Sequence, residues 1–186
     1  LSLHDALPIY LGISDSPAWV VAKANQYARD HGLRQFAVYQ GKWNAAMRDF
    51  ERDIIPMCKD EGMALLPYGT LGQGHFQTEA SFKEREERNP GRKGKPSSVE
   101  RAVSKVMEDL ASAKNTQITS IAMAYVMQKA PYVFPLVGGR KVDHIKGNID
   151  ALTVDLNEED IAKIESASRF DRSEEHTSEL QSPVLS

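Results

Sequence analysis

Phe36-Ala37-Val38-Tyr39-Gln40, closed by Gly41, then Met47, Phe50, Ile54 and Cys58, then Gly62 and Met63-Ala64-Leu65-Leu66: this stretch decides the fold. The first run is short, apolar and ends at a breaker, which reads as a strand. The next four apolar residues stand three and four apart, the spacing of one face of a helix. The last run is a second strand. Two strands joined by a helix of this length lie parallel, because the crossover returns the chain to the end where the first strand began.

The same alternation extends outward in both directions. Tyr10-Leu11-Gly12-Ile13 reads as a strand, Ser16 as a helix cap with Pro17 at the first helical position, and Trp19, Val20, Ala24, Tyr27 and Ala28 as the helix, ended at His31-Gly32. Beyond Leu66 come Pro67-Tyr68-Gly69-Thr70-Leu71-Gly72-Gln73-Gly74 and a long polar stretch from about His75 to Ser98, read as a functional loop. Helical spacing returns at Val99, Ala102, Val103, Val106, Met107 and Leu110, and again over Ile121 to Lys129 after a cap at Thr119. A fourth strand, Tyr132 to Val137, ends at Gly138-Gly139-Arg140-Lys141. A helix through Ile145, Ile149 and Leu152 follows it, and a last helix begins after Asn157, with Glu158, Glu159 and Asp160 in its first turn.

Four strand–helix units make an α/β fold. They fit part of a (β/α)8 barrel, whose closed form takes eight units and about 250 residues. Periodicity alone fits a small open parallel sheet equally well.

Composition narrows the function. The 26 acidic and 23 basic residues give a net charge of −3. Setting aside Asp5, Glu174, Glu175, Glu179 and Arg172 at the ends leaves an even balance, which disfavours a nucleic-acid or anionic-membrane partner. No apolar run reaches the length of a bilayer-spanning helix, and the single Cys58 has no internal disulfide partner, so a reducing cytoplasmic location is expected. Residues 1–9 lack the basic start and cleavage site of a signal peptide, and residues 172–186 carry no structural period. Both ends resemble translated short-read sequencing adapters, so the native sequence is expected to span residues 10–171.

In parallel strand–helix barrels, chemistry gathers in the loops after the strands. Ser14 and Asp15 offer a hydroxyl and a carboxylate, or simply a helix cap; Gln40 offers an amide that both donates and accepts, or an internal hydrogen bond. Tyr68 stands before Gly69, Gly72 and Gly74, which permit left-handed turns and close approach to an anion; taken alone, the glycines fit an ordinary turn and Tyr68 a core aromatic better. Gly138-Gly139-Arg140-Lys141 at a helix start suits a phosphate monoester, or is a solvated basic turn. His31, His75 and His144 show no metal-ligand spacing, so no metal site is expected.

The order of these pieces carries a resemblance. Tyr10-Leu11-Gly12-Ile13-Ser14-Asp15, Tyr39-Gln40-Gly41-Lys42-Trp43-Asn44, Arg48-Asp49-Phe50-Glu51-Arg52-Asp53 and Val137-Gly138-Gly139-Arg140 resemble the aldo-keto reductase family, in particular its fungal aryl-alcohol dehydrogenase and norsolorinic acid reductase group. The resemblance covers residues 10–171. It implies the fifth to eighth strands of the barrel and an oxidoreductase that uses NADP(H) on small carbonyl or alcohol compounds. It also implies that the family's catalytic residues, supplied by the second to fourth strands, are absent here. No residue of this chain is therefore expected to be catalytic.

By the same resemblance, Ser14, Asp15 and Gln40 match the positions that hold the nicotinamide carboxamide, and Tyr68 the aromatic that stacks on the ring. Gly69, Thr70, Leu71, Gly72, Gln73 and Gly74 match the loop along the pyrophosphate. Gly139, Arg140, His144 and Asn148 match the segment around the adenosine and its 2′-phosphate. Two departures stand out. Many relatives carry Asn in place of Asp15, and Lys-Ser in place of Gly138-Gly139, so a preference for NADP rests chiefly on Arg140, with Lys141 a helper. The polar stretch from His75 to Ser98 is a candidate cover for the cofactor, with Arg92 a candidate clamp.

Two other readings compete: a cofactor-binding regulatory protein like the potassium-channel β subunits, which share this fold, and a phosphate-binding barrel of unrelated chemistry. The motif from Arg48 to Asp53 favours the enzyme. Alone, the fragment is expected to be inactive, and poorly soluble or molten, because half a barrel leaves two strand edges and an inner face uncovered.

Overall fold

The computed structural model describes residues 10–88, 95–139 and 142–168. The two ends read as non-native, and the candidates Arg92, Arg140 and Lys141, lie outside the described residues. Three parallel strands form one sheet in the order β1 (Leu11–Ser14), β2 (Phe36–Lys42) and β3 (Ala64–Tyr68). Leu11, Gly12, Ile13 and Ser14 pair with Phe36, Val38, Tyr39 and Gln40, and Val38 to Lys42 pair in step with Ala64 to Tyr68. The crossovers are α1 (Ala18–Asp30) and α2 (Ile54–Asp60).

Gly41 does not end its strand, as the sequence led us to expect; β2 runs through it to Lys42. Its role is a close approach. A Cβ at this position would stand 2.5 Å from the Phe50 ring, so only glycine lets the ring lie against the strand.

The fourth strand forms only in part, and the reason is chemical. Leu65 donates to the Tyr132 carbonyl (3.0 Å) and Phe134 donates back to Leu65 (2.8 Å), which makes one parallel bridge, Leu65 to Val133. At the next level Leu136 donates to the Pro67 carbonyl (2.8 Å), but Pro67 has no N–H to return the bond. The ladder therefore continues with half of its second pair missing.

The helix expected to start near Met47 is divided. Met47 closes a turn in which the Asn44 side chain accepts from the amides of Ala46 (2.9 Å) and Met47 (3.0 Å). A 3-10 turn, Asp49–Glu51, follows, and α2 begins at Ile54. Pro56 explains the break, since a proline is tolerated in a helix's first turn but not farther in. The polar stretch after the third strand is not all loop: α3 (Glu79–Arg88) lies within it, docked by the buried Phe82, over which the Arg101 guanidinium sits at 5.4 Å. One apolar anchor leaves no readable period.

The remaining helices are α4 (Ser98–Ala113), α5 (Ile118–Lys129), α6 (Val142–Asp150) and α7 (Glu158–Ala167). Capping boxes open α4, through Ser97 and Glu100, and α7, through Asn157 and Asp160. Two expected caps are not made. Thr119 lies inside α5, which starts after Gln117, and Ser16 precedes Pro17 and donates to the Ser14 carbonyl instead (3.0 Å).

The core lies between the sheet and these helices, around Val21, Tyr39, Trp43, Phe50, Leu65, Val103, Met107, Ile121, Tyr125, Val126 and Ile164. Cys58 is buried within it, and burial pushes its thiol up to about 12. An ion cluster closes the outer wall. Arg48 pairs with Glu51 (2.6 Å) and Glu165 (3.2 Å) and donates to the Ser168 carbonyl (2.9 Å), while the Tyr125 hydroxyl donates to Glu51 (3.2 Å). The segment after β2 is thereby tied to α5 and α7. Among the described residues the opposite face of the sheet has no such cover: Phe134 and Leu136, which alternate with the buried Val133, are 58% and 41% exposed.

Candidate functional site

Alternation along the strands sorts side chains by face. In β2 the residues Tyr39 and Gly41 are buried toward the helices, whereas Val38, Gln40 and Lys42 are half-buried on the other face. In β3, Leu65 and Pro67 are buried, and Ala64, Leu66 and Tyr68 are half-buried. Ser14 pairs with Gln40, Gln40 with Leu66, and Lys42 with Tyr68. Ser14, Gln40, Lys42 and Tyr68 thus share the uncovered face, at the C-terminal ends of three parallel strands. A hydroxyl, a carboxamide, an ammonium and an aromatic ring meet there.

The chain after β1 is held by Tyr39. Its hydroxyl donates to the Ser16 carbonyl (2.7 Å) and accepts from the Ser16 amide (3.1 Å), and burial raises its pKa, which keeps the proton in place. Asp15 is exposed at φ +49°, a left-handed conformation that Asp and Asn tolerate better than most residues, and the Ser14 hydroxyl donates to its carboxylate (3.1 Å). The Gln40 amide has no hydrogen-bond partner among the described residues, so the internal bond that could have explained it is not made.

The loop after β3 turns on left-handed residues: Gly69 (φ +67°), Gly72 (+60°), Gln73 (+54°) and Gly74 (+85°). Its start is held by the Trp43 amide on the Tyr68 carbonyl (3.3 Å) and the Asn44 side chain on the Gly69 carbonyl (3.0 Å). Its end is held by His75, whose ring pairs with Glu100 (2.8 Å) and whose carbonyl accepts from the Ser104 hydroxyl (3.3 Å). Thr70 is buried and Leu71 packs on the core. The amides of Gly72 and Gly74 close turns onto the carbonyls of Gly69 (2.9 Å) and Leu71 (3.1 Å). These glycines shape the loop; their own N–H groups are occupied within it.

Gly139 and His144 come together: a Cβ on Gly139 would stand 2.8 Å from the His144 Cβ. One turn farther along α6, the Asn148 amide nitrogen is buried without a partner among the described residues. A buried donor left open costs about 1–3 kcal/mol, so this atom calls for an acceptor. Arg140, expected nearby, lies outside the described residues. Sequence reasoning passed over Lys42 and the His75–Glu100 pair. Lys42 was legible in principle, because residues two apart on a strand share a face with Gln40; nothing local marks a contact between residues 75 and 100.

Among the described residues no helix is long and apolar enough to cross a membrane. Residues 9–169 match the model of the aldo/keto reductase family. The chain is 66% identical over 170 residues to norsolorinic acid reductase B of Dothistroma septosporum, covering 91% of this chain and 43% of that protein. It is 50% identical to an aryl-alcohol dehydrogenase of Pestalotiopsis microspora, covering 88% of this chain and 42% of that one. Among solved structures, a thermostable aldo-keto reductase crystallised with the inhibitor epalrestat superposes with a TM-score of 0.62 at 21% identity, over 86% of this chain and 48% of the other. The chain therefore spans under half the length of these relatives, and its likeness to the solved structure is one of fold.

Proposed function

The chain belongs to the aldo/keto reductase family, and on that premise we propose that it is the cofactor-binding half of an NADP(H)-dependent oxidoreductase acting on small carbonyl or alcohol compounds. Its strands then correspond to the fifth to eighth of the barrel. The proton-transfer residues belong to the other half.

One observation carries this reading: Ser14 and Gln40 pair in register on one open face, Tyr68 follows two residues beyond Leu66, the partner of Gln40, and the Gln40 side-chain amide has no partner among the described residues. A nicotinamide fits that set. Its carboxamide needs a group that donates and one that accepts, which Gln40 supplies together, while the Ser14 oxygen keeps a lone pair for the carboxamide N–H. The Tyr68 ring provides a flat apolar wall for the pyridine. The left-handed loop from Gly69 to Gly74 follows directly and borders the pyrophosphate, and the open Asn148 amide meets an acceptor on the adenine. Asp15 shapes the turn beside the site through its φ of +49°. Gly139 and His144 shape the adenosine side, with Arg140 assigned to the 2′-phosphate. The bound cofactor supplies the hydride; these residues hold and orient it.

The branch names of the relatives point to aromatic aldehydes and ketones as the substrate class. The test is NADPH fluorescence titration of the full-length protein that carries this sequence. Gln40→Leu and Tyr68→Ala are each expected to weaken NADPH at least tenfold without lowering the melting temperature by more than a few degrees. Unchanged affinity in both variants would remove the nicotinamide assignment. This chain by itself is expected to leave NADPH unoxidised in the presence of an aromatic aldehyde; turnover would show that the catalytic groups lie within it.

A further inference from the structure

We propose that Lys42 is a charged contact for the nicotinamide-side phosphate of the cofactor's pyrophosphate bridge; this deepens the reading above and rests on it. Lys42 ends β2 two residues beyond Gln40, on the same open face, and its register partner is Tyr68. Its stem runs along the start of the next loop: a Cβ on Gly69 would lie 3.5 Å from the Lys42 Cγ and 3.7 Å from its Cε. The ammonium is one bond beyond Cε. It therefore stands beside Gly69, at the start of the left-handed loop.

Three observations make this an anion contact. Lys42 is half-buried, and its side chain forms no ion pair or hydrogen bond among the described residues. The neighbouring carboxylate at the strand ends, Asp15, accepts from Ser14 and makes no ion pair with Lys42. The loop itself, from Gly69 to Gly74, carries no charged side chain, so any charge it offers an anion comes from beside it. A lysine whose stem is held along a loop and whose charge has no counter-ion among the described residues is placed to receive an anion, and an entering phosphate supplies the missing charge. The position also fits the ligand. Two residues along a strand advance about 7 Å, which takes the chain from the level of the carboxamide toward the phosphate next to the nicotinamide ribose.

The experiment compares wild type, Lys42→Met and Lys42→Arg in the full-length protein by calorimetric titration at low and high salt. Three ligands are used: NADPH; 2′-phospho-ADP-ribose, which keeps the bridge but lacks nicotinamide; and adenosine 2′,5′-bisphosphate, which lacks the nicotinamide-side phosphate. Lys42→Met, which keeps the stem and drops the charge, is expected to weaken the first two about tenfold and leave the third unchanged. Lys42→Arg should recover most of the loss, and the loss should shrink as salt rises. Equal affinities for Lys42→Met and wild type overturn the proposal while the cofactor reading stands. A loss confined to NADPH overturns it in favour of a contact at the nicotinamide, and an equal loss for all three ligands in favour of one on the adenosine side. If the wild type binds none of them, both readings fall together.

Discussion

A single hydrogen atom at Gly41 decides how closely the second strand can lie against Phe50. The Gly41→Ala variant is expected to lose about 1–3 kcal/mol, because the added methyl overlaps a ring already stacked on Trp43 and edge-on to Tyr39. Urea unfolding of the variant beside the wild type, both as the full-length protein that carries this sequence, measures this, and a shift under 0.5 kcal/mol (about the scatter of surface substitutions) would show that the ring moves aside freely. The residue was visible in the sequence as a breaker, yet its purpose was not, because a glycine that ends a strand and one that admits a neighbouring ring are written alike. Gln40 shows the reverse. Its place at a strand end was legible from the apolar run before it, but the absence of an internal partner belongs to tertiary geometry. Lys42 falls between the two: its face follows from Gln40 by counting, and its lack of a counter-ion does not.

At the scale of elements, local chemistry was readable where it closes within four residues. Ser97 and Glu100, and likewise Asn157 and Asp160, cap helices by reaching only three positions ahead, and the start after Asn157 was expected from its acidic first turn. The helix Glu79–Arg88 was missed because one buried Phe82 gives no period, and the fourth strand was overdrawn because Pro67 withholds a bond from a different strand. The two box carboxyls also set a pH dependence. Burial alone would lift Glu100, but the Ser97 amide and His75 outweigh it and hold it below the usual carboxylate range; for Asp160 the Lys114 hydrogen bond is the largest cause of the same downward displacement. A carboxyl held low when folded stabilises the fold above its unfolded pKa and loses that contribution as pH falls through the folded value. Protection of the first-turn amides of α4 and α7 from hydrogen exchange, corrected for intrinsic rates, is therefore expected to hold from pH 7 to about 5 and fall below about 4. In Glu100→Gln the fall at α4 should vanish while that at α7 remains; a fall at both helices in this variant would assign the effect to global acid unfolding.

For the molecule as a whole, periodicity fixed the alternation of strands and helices but could not tell a half-barrel from a small open sheet, since both read identically along the chain. The distinction lies in what stays bare. Phe134 and Leu136 beside the sheet, Ile145 and Ile149 on α6 and Leu152 in the turn after it are between 41% and 70% exposed, large apolar side chains that a lone domain usually buries. Isolated, this chain is expected to self-associate or to melt broadly, with helical far-ultraviolet dichroism kept and near-ultraviolet signal weak. Sedimentation and thermal scans check it; a monomer with a sharp, reversible transition would mean that the bare face is stable without cover. Cys58, by contrast, is 1% exposed at the core, with its proton held tightly. The chain therefore carries its own opening gauge: the thiol stays silent to alkylating reagents at neutral pH until α2 lifts from the sheet, and its labelling rate counts those excursions one molecule at a time.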